Sequence, residues 1–419
     1  MKSDEQTLVF GYSLFILNMI WQNGELKNPL SGKPLEFDSP HSLTDGENRF
    51  PVIDQIPFLR AGRDDLRAKV LKKLDAGGVP AALALLFQDQ DDWARNAPPS
   101  EKDLQPLFEN CNLNLREAMR CLRYGAVADY FAYRWSDPTF LSGLTLLEWH
   151  LPPSAKIGFE LACGIGHYLR EFDLRGIEAV GADVVYSKLW LARKFVAPNA
   201  KLICLDANFD FPFADKSFDT AFCHDAFYFL PEKKPVADEL KRTTRGAILI
   251  GHAHNAEAEN FSSGAAIATG EYAAMFATPI LYDDAELTRA AIENQKPEAR
   301  KINELKNAAA IDLVCNQSGE NGITGNFQRK DFLVPTTREK LRVNPLLLDE
   351  NDEIQSSPIY PSERYASEYA PLSDYLKLTD AEREILESIR RGIENDLSTE
   401  KTVSVFERRH ILLDLPEKW

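Results

Sequence analysis

The chain predicts an α/β protein with a doubly wound, mostly parallel sheet, and three observations carry that reading. Between residues 155 and 255, short apolar runs alternate with helical patterns, as βαβ units require. Three successive runs end in an acid, at Glu160, Asp183 and Asp206. The first run leads into a turn of small residues, Ala162-Cys163-Gly164-Ile165-Gly166, just before a helix start.

Taken in order, Ala155 to Leu161 is a buried strand. A sharp strand-to-helix turn needs residues without bulky side chains, so that backbone N–H groups can approach a ligand. Ala162, Gly164 and Gly166 meet that need, and Cys163 is small enough to fit among them. Ile177 to Asp183 is the second strand, and a carboxylate at its end can accept hydrogen bonds from two ribose hydroxyls. Ala200 to Asp206 is the third, followed by Ala207 and Asn208. The fourth runs into Cys223-His224-Asp225, and the fifth, Gly246 to Gly251, into His252-Ala253-His254-Asn255. A charged, Ala-rich helical insertion then precedes a further strand at Ile311 to Cys315. A Rossmann-like sheet of seven strands is expected.

These residues resemble the class I S-adenosylmethionine (SAM) dependent methyltransferases. Glu160 to Gly166 match that family's ExxCGxG first motif. The helix after Asp183 carries Ser187, Leu191, Ala192 and Arg193 as the family's pattern does, and Phe211 to Phe222 matches its LPFxDxSFDxV stretch. The resemblance implies SAM as cofactor, with the glycine loop packed on the methionine part and Glu160 anchoring the loop and the amino group. Asp183 then holds the ribose, Asp206 receives the adenine amino group, and the backbone N–H beyond it meets the ring, with Asn208 alongside. A nicotinamide enzyme would want a third glycine, which this loop lacks. The implied reaction is direct in-line transfer to an O or N atom of a small molecule. A protein or RNA acceptor, or SAM binding without catalysis, are the alternatives.

On the acceptor side, His224 and Asp225 sit where ligands bind in open α/β sheets. A histidine there can take a proton from the nucleophile; alternatively these two residues touch the adenosine or cap the next helix. Of His252 and His254 only one is expected to face the substrate, His254 with Asn255 being the candidates; loop hydrogen bonding is the alternative. A metal would require Glu257 or Glu259 to join the histidines, and none is expected. Before the sheet, Tyr130, Arg134, Trp135 and Asp137 either lie over the cofactor or pack a helix end.

The N-terminal stretch, with Asn28-Pro29-Leu30-Ser31 and then Arg49 to Leu59, suggests small strands and turns. It resembles the zinc-ribbon module that activates some methyltransferases. Asn28 and Ser31 stand where that module's first two cysteines belong, and no second cysteine pair exists, so a metal-less module is implied. The expected organisation is this module at 1–62, a helical cap at 63–150, and the SAM-binding domain at 151–345 with its insertion at about 260–310. A C-terminal extension, 346–419, includes a helix from Thr379 to about Asn395.

Composition fits this. The chain has 419 residues, 44% hydrophobic and 27% charged, in the globular range. A net charge of −16 repels a phosphate backbone, so bulk nucleic-acid binding is not expected. Leu8 to Trp21 is too short and too interrupted to span a membrane. Six scattered cysteines without a CxxC pair fit a reducing cytoplasm. Oligomeric state cannot be read from these features.

Overall fold

A computed structural model describes residues 20–259, 264–317, 332–333, 335, 341–391 and 397–419. Most of Leu8 to Trp21 lies outside the described residues, as does the tail of the helix expected to reach Asn395.

The N-terminal strands β1 (Glu36–Ser39), β2 (Ser42–Thr44), β3 (Arg49–Ile53) and β4 (Ile56–Pro57) form an antiparallel meander. Its turns are tied by one carboxylate. Asp45 accepts from Asn28 Nδ2 at 2.6 Å, from Ser31 Oγ at 3.1 Å and from the backbone N–H of Glu47 and Asn48 at 3.0 and 2.7 Å. Burial alone would raise this acid, but Asn28 and the two N–H groups hold it well below the usual carboxylate range. The meander docks on the large sheet. Leu59 N–H donates to the Cys204 carbonyl at 2.8 Å, Phe58 bridges Cys204 in parallel, and the Trp21 indole donates to Leu202 O at 3.3 Å.

Six helices follow: α1 (Asp64–Asp75), α2 (Val79–Gln88), α3 (Glu101–Glu109), α4 (Leu115–Cys121), α5 (Ala126–Tyr133) and α6 (Pro138–His150). Ser100, Asn114 and Asp137 cap α3, α4 and α6 by accepting from N3 amides, which satisfies donors left free at helix starts. Gly125 breaks the run between α4 and α5 with φ +57°, a conformation glycine enters without strain. α6 is buried nearly all round, its polar residues Thr139, Ser142, Thr145, Glu148 and His150 included, and packs against β9 (Thr244–His254) of the large sheet and α11 (Asp284–Glu293).

The large sheet contains β5 (Ile157–Leu161), β6 (Glu178–Asp183), β7 (Lys201–Cys204), β8 (Phe218–His224), β9 (Thr244–His254), β10 (Ile280–Asp283) and β11 (Ala310–Asn316). Their order is β10-β11-β9-β8-β5-β6-β7, with β5 to β9 parallel and β11 antiparallel to both its neighbours. The stretch expected to be a helical insertion therefore also contains an edge strand, β10, between α10 (Thr269–Ala274) and α11. Helices α7 (His167–Leu174), α8 (Tyr186–Leu191) and α9 (Lys233–Thr243) complete the crossovers, and two apolar layers form on the two faces. The C-terminal part adds β12 (Leu341–Val343), α12 (Glu363–Tyr369), α13 (Asp380–Arg390), α14 (Leu397–Arg408) and β13 (Leu412–Asp414), with β12 and β13 paired.

One irregularity shapes the site. Along β9, Ile250 pairs with Leu313 and Ala253 with Ile311, so Gly251 and His252 together oppose Asp312. This is a β-bulge, with His252 at φ +48°.

Candidate active site

The turn after β5 has the backbone its small residues permit. Ala162, Gly164 and Gly166 all take positive φ, at 55°, 55° and 87°. A Cβ on Gly164 would lie 3.1 Å from the Phe131 ring of α5, and one on Gly166 3.2 Å from Ala192 Cβ. Gly164 thus lies under the cap, while Gly166 lets α7 start close to the helix after β6. Cys163 is buried and ties the loop to β6 through its N–H and the Ala182 carbonyl at 3.0 Å.

Asp183 links this loop to the second strand. Its two oxygens accept from the N–H groups of Gly164 at 3.0 Å and Val185 at 2.9 Å. Glu160 is buried at the end of β5, one of its oxygens has no partner, and burial pushes its carboxyl up. Asp206 is half-buried and accepts from Asn208 N and Nδ2 at 3.0 and 2.8 Å, with Ala207 buried between them. A cradle of positive-φ small residues, an unpartnered buried carboxyl oxygen and acids at three neighbouring strand ends fit the loop, amino group, ribose and adenine of SAM.

Over β8 the centre is Asp225, itself at φ +52°. Its carboxylate accepts from Arg134 at 2.6 Å, from the Tyr130 hydroxyl, and from the Tyr228 hydroxyl at 2.8 Å. Burial works to raise this acid, but the Arg134 guanidinium first, then His252, His254 and Tyr130, hold it below the usual carboxylate range. Arg134 also reaches Asp137 at 3.5 Å, and burial pushes that carboxyl up to about 7 against the pull of Arg134. Tyr130 and Arg134 of the cap are therefore joined to the sheet end through Asp225.

The bulge sets the histidines. His252 and His254 lie two apart on the strand with ring centroids 5.0 Å apart, His252 toward α11 and His254 toward Tyr228. His252 Nδ1 meets Asp284 at 2.9 Å, and its N–H donates to Asp312 at 3.0 Å. Despite burial, Asp284 first and then Asp225 raise the ring to about 9. His254 packs edge-on against Tyr228 at 4.5 Å, and its buried Nδ1 has no partner. Burial and then His252 push this ring down to about 4.

Two expected acceptor-side residues sit elsewhere. His224 lies among Tyr168, Phe222, Gly143 and Gly251, and burial pushes it down to about 3. Asn255 is fully buried, donating to Leu305 O and Ala308 O at 3.0 and 3.1 Å and accepting from Glu257 N at 3.0 Å. It fastens the loop after β9. The carboxylate that joins His252 and His254 is Asp225, not Glu257 or Glu259.

Remote segments roof the site. Between α2 and α3, Asp91 pairs with Lys188 at 3.3 Å, Trp93 packs on Phe229 at 5.2 Å and Asn96 donates to Tyr124 O at 3.0 Å. From the C-terminal part, the Tyr365 hydroxyl of α12 donates to Tyr133 O at 3.3 Å. Glu368 beside it is pushed up by burial and then by Asp225. No local motif marks these residues, and sequence reasoning missed them.

Residues 159–250 match the methyltransferase domain family. No curated protein matches the chain. Solved structures similar to it include a protein of Pyrococcus horikoshii, 27% identical over 22% of this chain and 44% of that one, with a TM-score of 0.21. A SAM-dependent methyltransferase of Thermotoga maritima is 16% identical over 49% of this chain and 97% of that one, TM-score 0.32. Phosphoethanolamine N-methyltransferase 2 of Haemonchus contortus, solved with SAM, is 15% identical over 49% and 60%, TM-score 0.34. The chain thus spans less than half the length of the Pyrococcus protein. No helix among the described residues is long and apolar enough to cross a membrane. The seven-stranded sheet of this chain carries a methyltransferase domain, and the cofactor of that domain is SAM.

Proposed function

We propose that the protein methylates an O or N atom of a small molecule held between β8, β9 and the cap, with His254 as general base. The observation that carries this reading is the buried, unpartnered Nδ1 of His254 beside Tyr228, on a ring kept neutral at pH 7. Glu160, the Ala162 to Gly166 loop, Asp183, Asp206 and the Ala207 N–H would hold SAM, which supplies an electrophilic methyl group on a sulfonium. Transfer to such a methyl needs little from the protein beyond placing the nucleophile and removing its proton. A neutral imidazole with a free lone pair can accept that proton. Tyr130, Tyr228 and Arg134, gathered on Asp225, would flank the acceptor.

The N-terminal meander fits a brace: Asp45 occupies the space between Asn28 and Ser31, and β4 is pinned to β7. The charge of −16 favours this over a nucleic-acid acceptor.

Incubation with methyl-labelled SAM and a cell extract, fractionated by size, tests the acceptor class. Label in small metabolites is expected; label in RNA or protein favours a macromolecular acceptor, and none favours SAM binding alone. With an acceptor in hand, His254→Gln should lower kcat about 100-fold while leaving SAM affinity unchanged. An unaltered kcat would remove His254 from the chemistry.

A further inference from the structure

At the end of β8 an imidazole and two carboxyl groups meet. His224 at the end of β8, Asp284 at the start of α11 and Asp312 on β11 each offer a ligand atom within 4.8 Å of the other two, and all three residues are buried. His252 Nδ1 meets Asp284 Oδ2, the His252 N–H donates to Asp312 Oδ1, and Asp284 also has Ser142 and Asp312 as side-chain hydrogen-bond partners. Asp284 Oδ1, Asp312 Oδ2 and His224 Nε2 have no partner within 3.5 Å in good geometry.

The ring's tautomer follows from its other nitrogen. The Tyr168 hydroxyl lies 3.3 Å from the Thr139 carbonyl, 3.4 Å from the Phe140 carbonyl and 3.4 Å from His224 Nδ1; with its proton on either carbonyl it accepts from His224 Nδ1–H. Nε2 is then a lone pair facing carboxylate oxygens. Two ways exist to satisfy such a pair: a proton shared between the acids, with burial and Asp284 pushing the Asp312 carboxyl up, or a bound cation, which alone would also engage the His224 lone pair.

The chain also makes room for this imidazole. A Cβ on Gly251 would lie 2.3 Å from His224 Cδ2, and one on Gly143, inside α6, 2.2 Å from the Tyr168 hydroxyl and 2.8 Å from His224 Cδ2. A glycine inside a helix costs roughly 1 kcal/mol against alanine, a cost that filling the core with an aliphatic side chain would not require.

We infer that His224, Asp284 and Asp312 bind a divalent transition-metal cation that clamps β8, β11 and α11 together. One imidazole and two carboxylates suit Mn²⁺, Fe²⁺ or Zn²⁺. The neighbouring trio of Asp225, His252 and His254 does not compete, because Arg134, Tyr130 and Tyr228 already take both oxygens of Asp225. The cation neutralises the acid pair and fixes Asp284, which in turn holds His252. This departs from the expectation of a metal-free protein and does not depend on the identity of the methyl acceptor.

The test uses the full chain, purified without chelators, loaded separately with Mn²⁺, Fe²⁺ and Zn²⁺, gel-filtered and subjected to elemental analysis. About one equivalent of at least one metal should remain bound, falling at least about tenfold in Asp312→Asn and persisting in Asp45→Ala, which alters only the N-terminal meander. Should Asp312→Asn fail to fold, pulsed EPR of the Mn²⁺-loaded wild type should detect a single coordinated histidine nitrogen. Retention below about a tenth of an equivalent of every metal, undiminished metal in folded Asp312→Asn, or an EPR signal without a histidine nitrogen would each overturn the inference.

Discussion

The two halves of the sheet are built in opposite ways. On the cofactor side, β5, β6 and β7, the decisive contacts are short in sequence: Asp183 reaches back to Gly164 and on to Val185, and Asp206 to Asn208. On the acceptor side, β8 and β9, Asp225 is held by Tyr130 and Arg134 of the cap, and the roof comes from α12 near the far end of the chain. A ligand that never varies can be recognised by one contiguous βαβ unit, whereas an acceptor pocket assembled from distant segments can change piece by piece. The cofactor half therefore reads as motif and the acceptor half as tertiary structure.

Removing one member of the long-range set should do the most damage. Arg134→Met leaves the Asp225 carboxylate buried with hydroxyl donors only, and stability should fall by about 3–5 kcal/mol in urea unfolding. Adding Asp225→Asn should restore much of it; a double variant no better than the single would mean that the ion pair is not what joins cap to sheet.

The local set is more sharply read by ligand. Asp183→Ala frees the Gly164 N–H and removes the ribose acceptor, so SAM affinity by calorimetry should drop at least about 100-fold, or roughly 2.7 kcal/mol. Unchanged affinity would move the cofactor off this loop.

The smallest effect tests where the halves touch. His167 starts α7 directly after the glycine loop and its Nε2 meets the Phe131 carbonyl of the cap at 2.9 Å. Burial first pushes its pKa down to about 3. A base with a depressed folded-state pKa gives stability that is present above its unfolded value near 6.5 and is lost as pH falls below it. At pH 5 this amounts to about 2 kcal/mol for His167, from roughly 1.5 units at 1.36 kcal/mol each. Asp137, an acid raised to about 7, acts in the opposite sense, since the folded state gains its proton first as pH falls from 7 toward 4. His167→Gln should therefore flatten the acid slope of chemical stability relative to wild type. An identical slope would show that the ring is not buried neutral.

The same contrast explains what was legible. Glu160, the glycine loop, Asp183 and Asp206 are visible because strand, turn and acid recur at short spacing. Strand β10 is hidden because four residues, Ile280 to Asp283, run straight into Asp284 and α11, leaving no turn to mark its end. The bulge at His252 is invisible for a different reason: a positive φ there is not advertised by glycine or asparagine, and the Asp312 carboxylate that pins its N–H lies sixty residues on. Asn255 reads as a site residue because exposed and buried amides look alike in sequence. Only its bonds to Leu305 and Ala308 show that it closes a loop.

The docking of the N-terminal meander on β7 also bears on how the chain avoids its own copies. β7 is the last strand of the large sheet, a short row of Lys201 to Cys204 whose outer N–H and C=O groups could template another chain. Leu59 and Phe58 occupy Cys204, and the Trp21 indole takes the Leu202 carbonyl. The meander thereby shields the edge, so loosening it should show first as self-association and only later as lost activity.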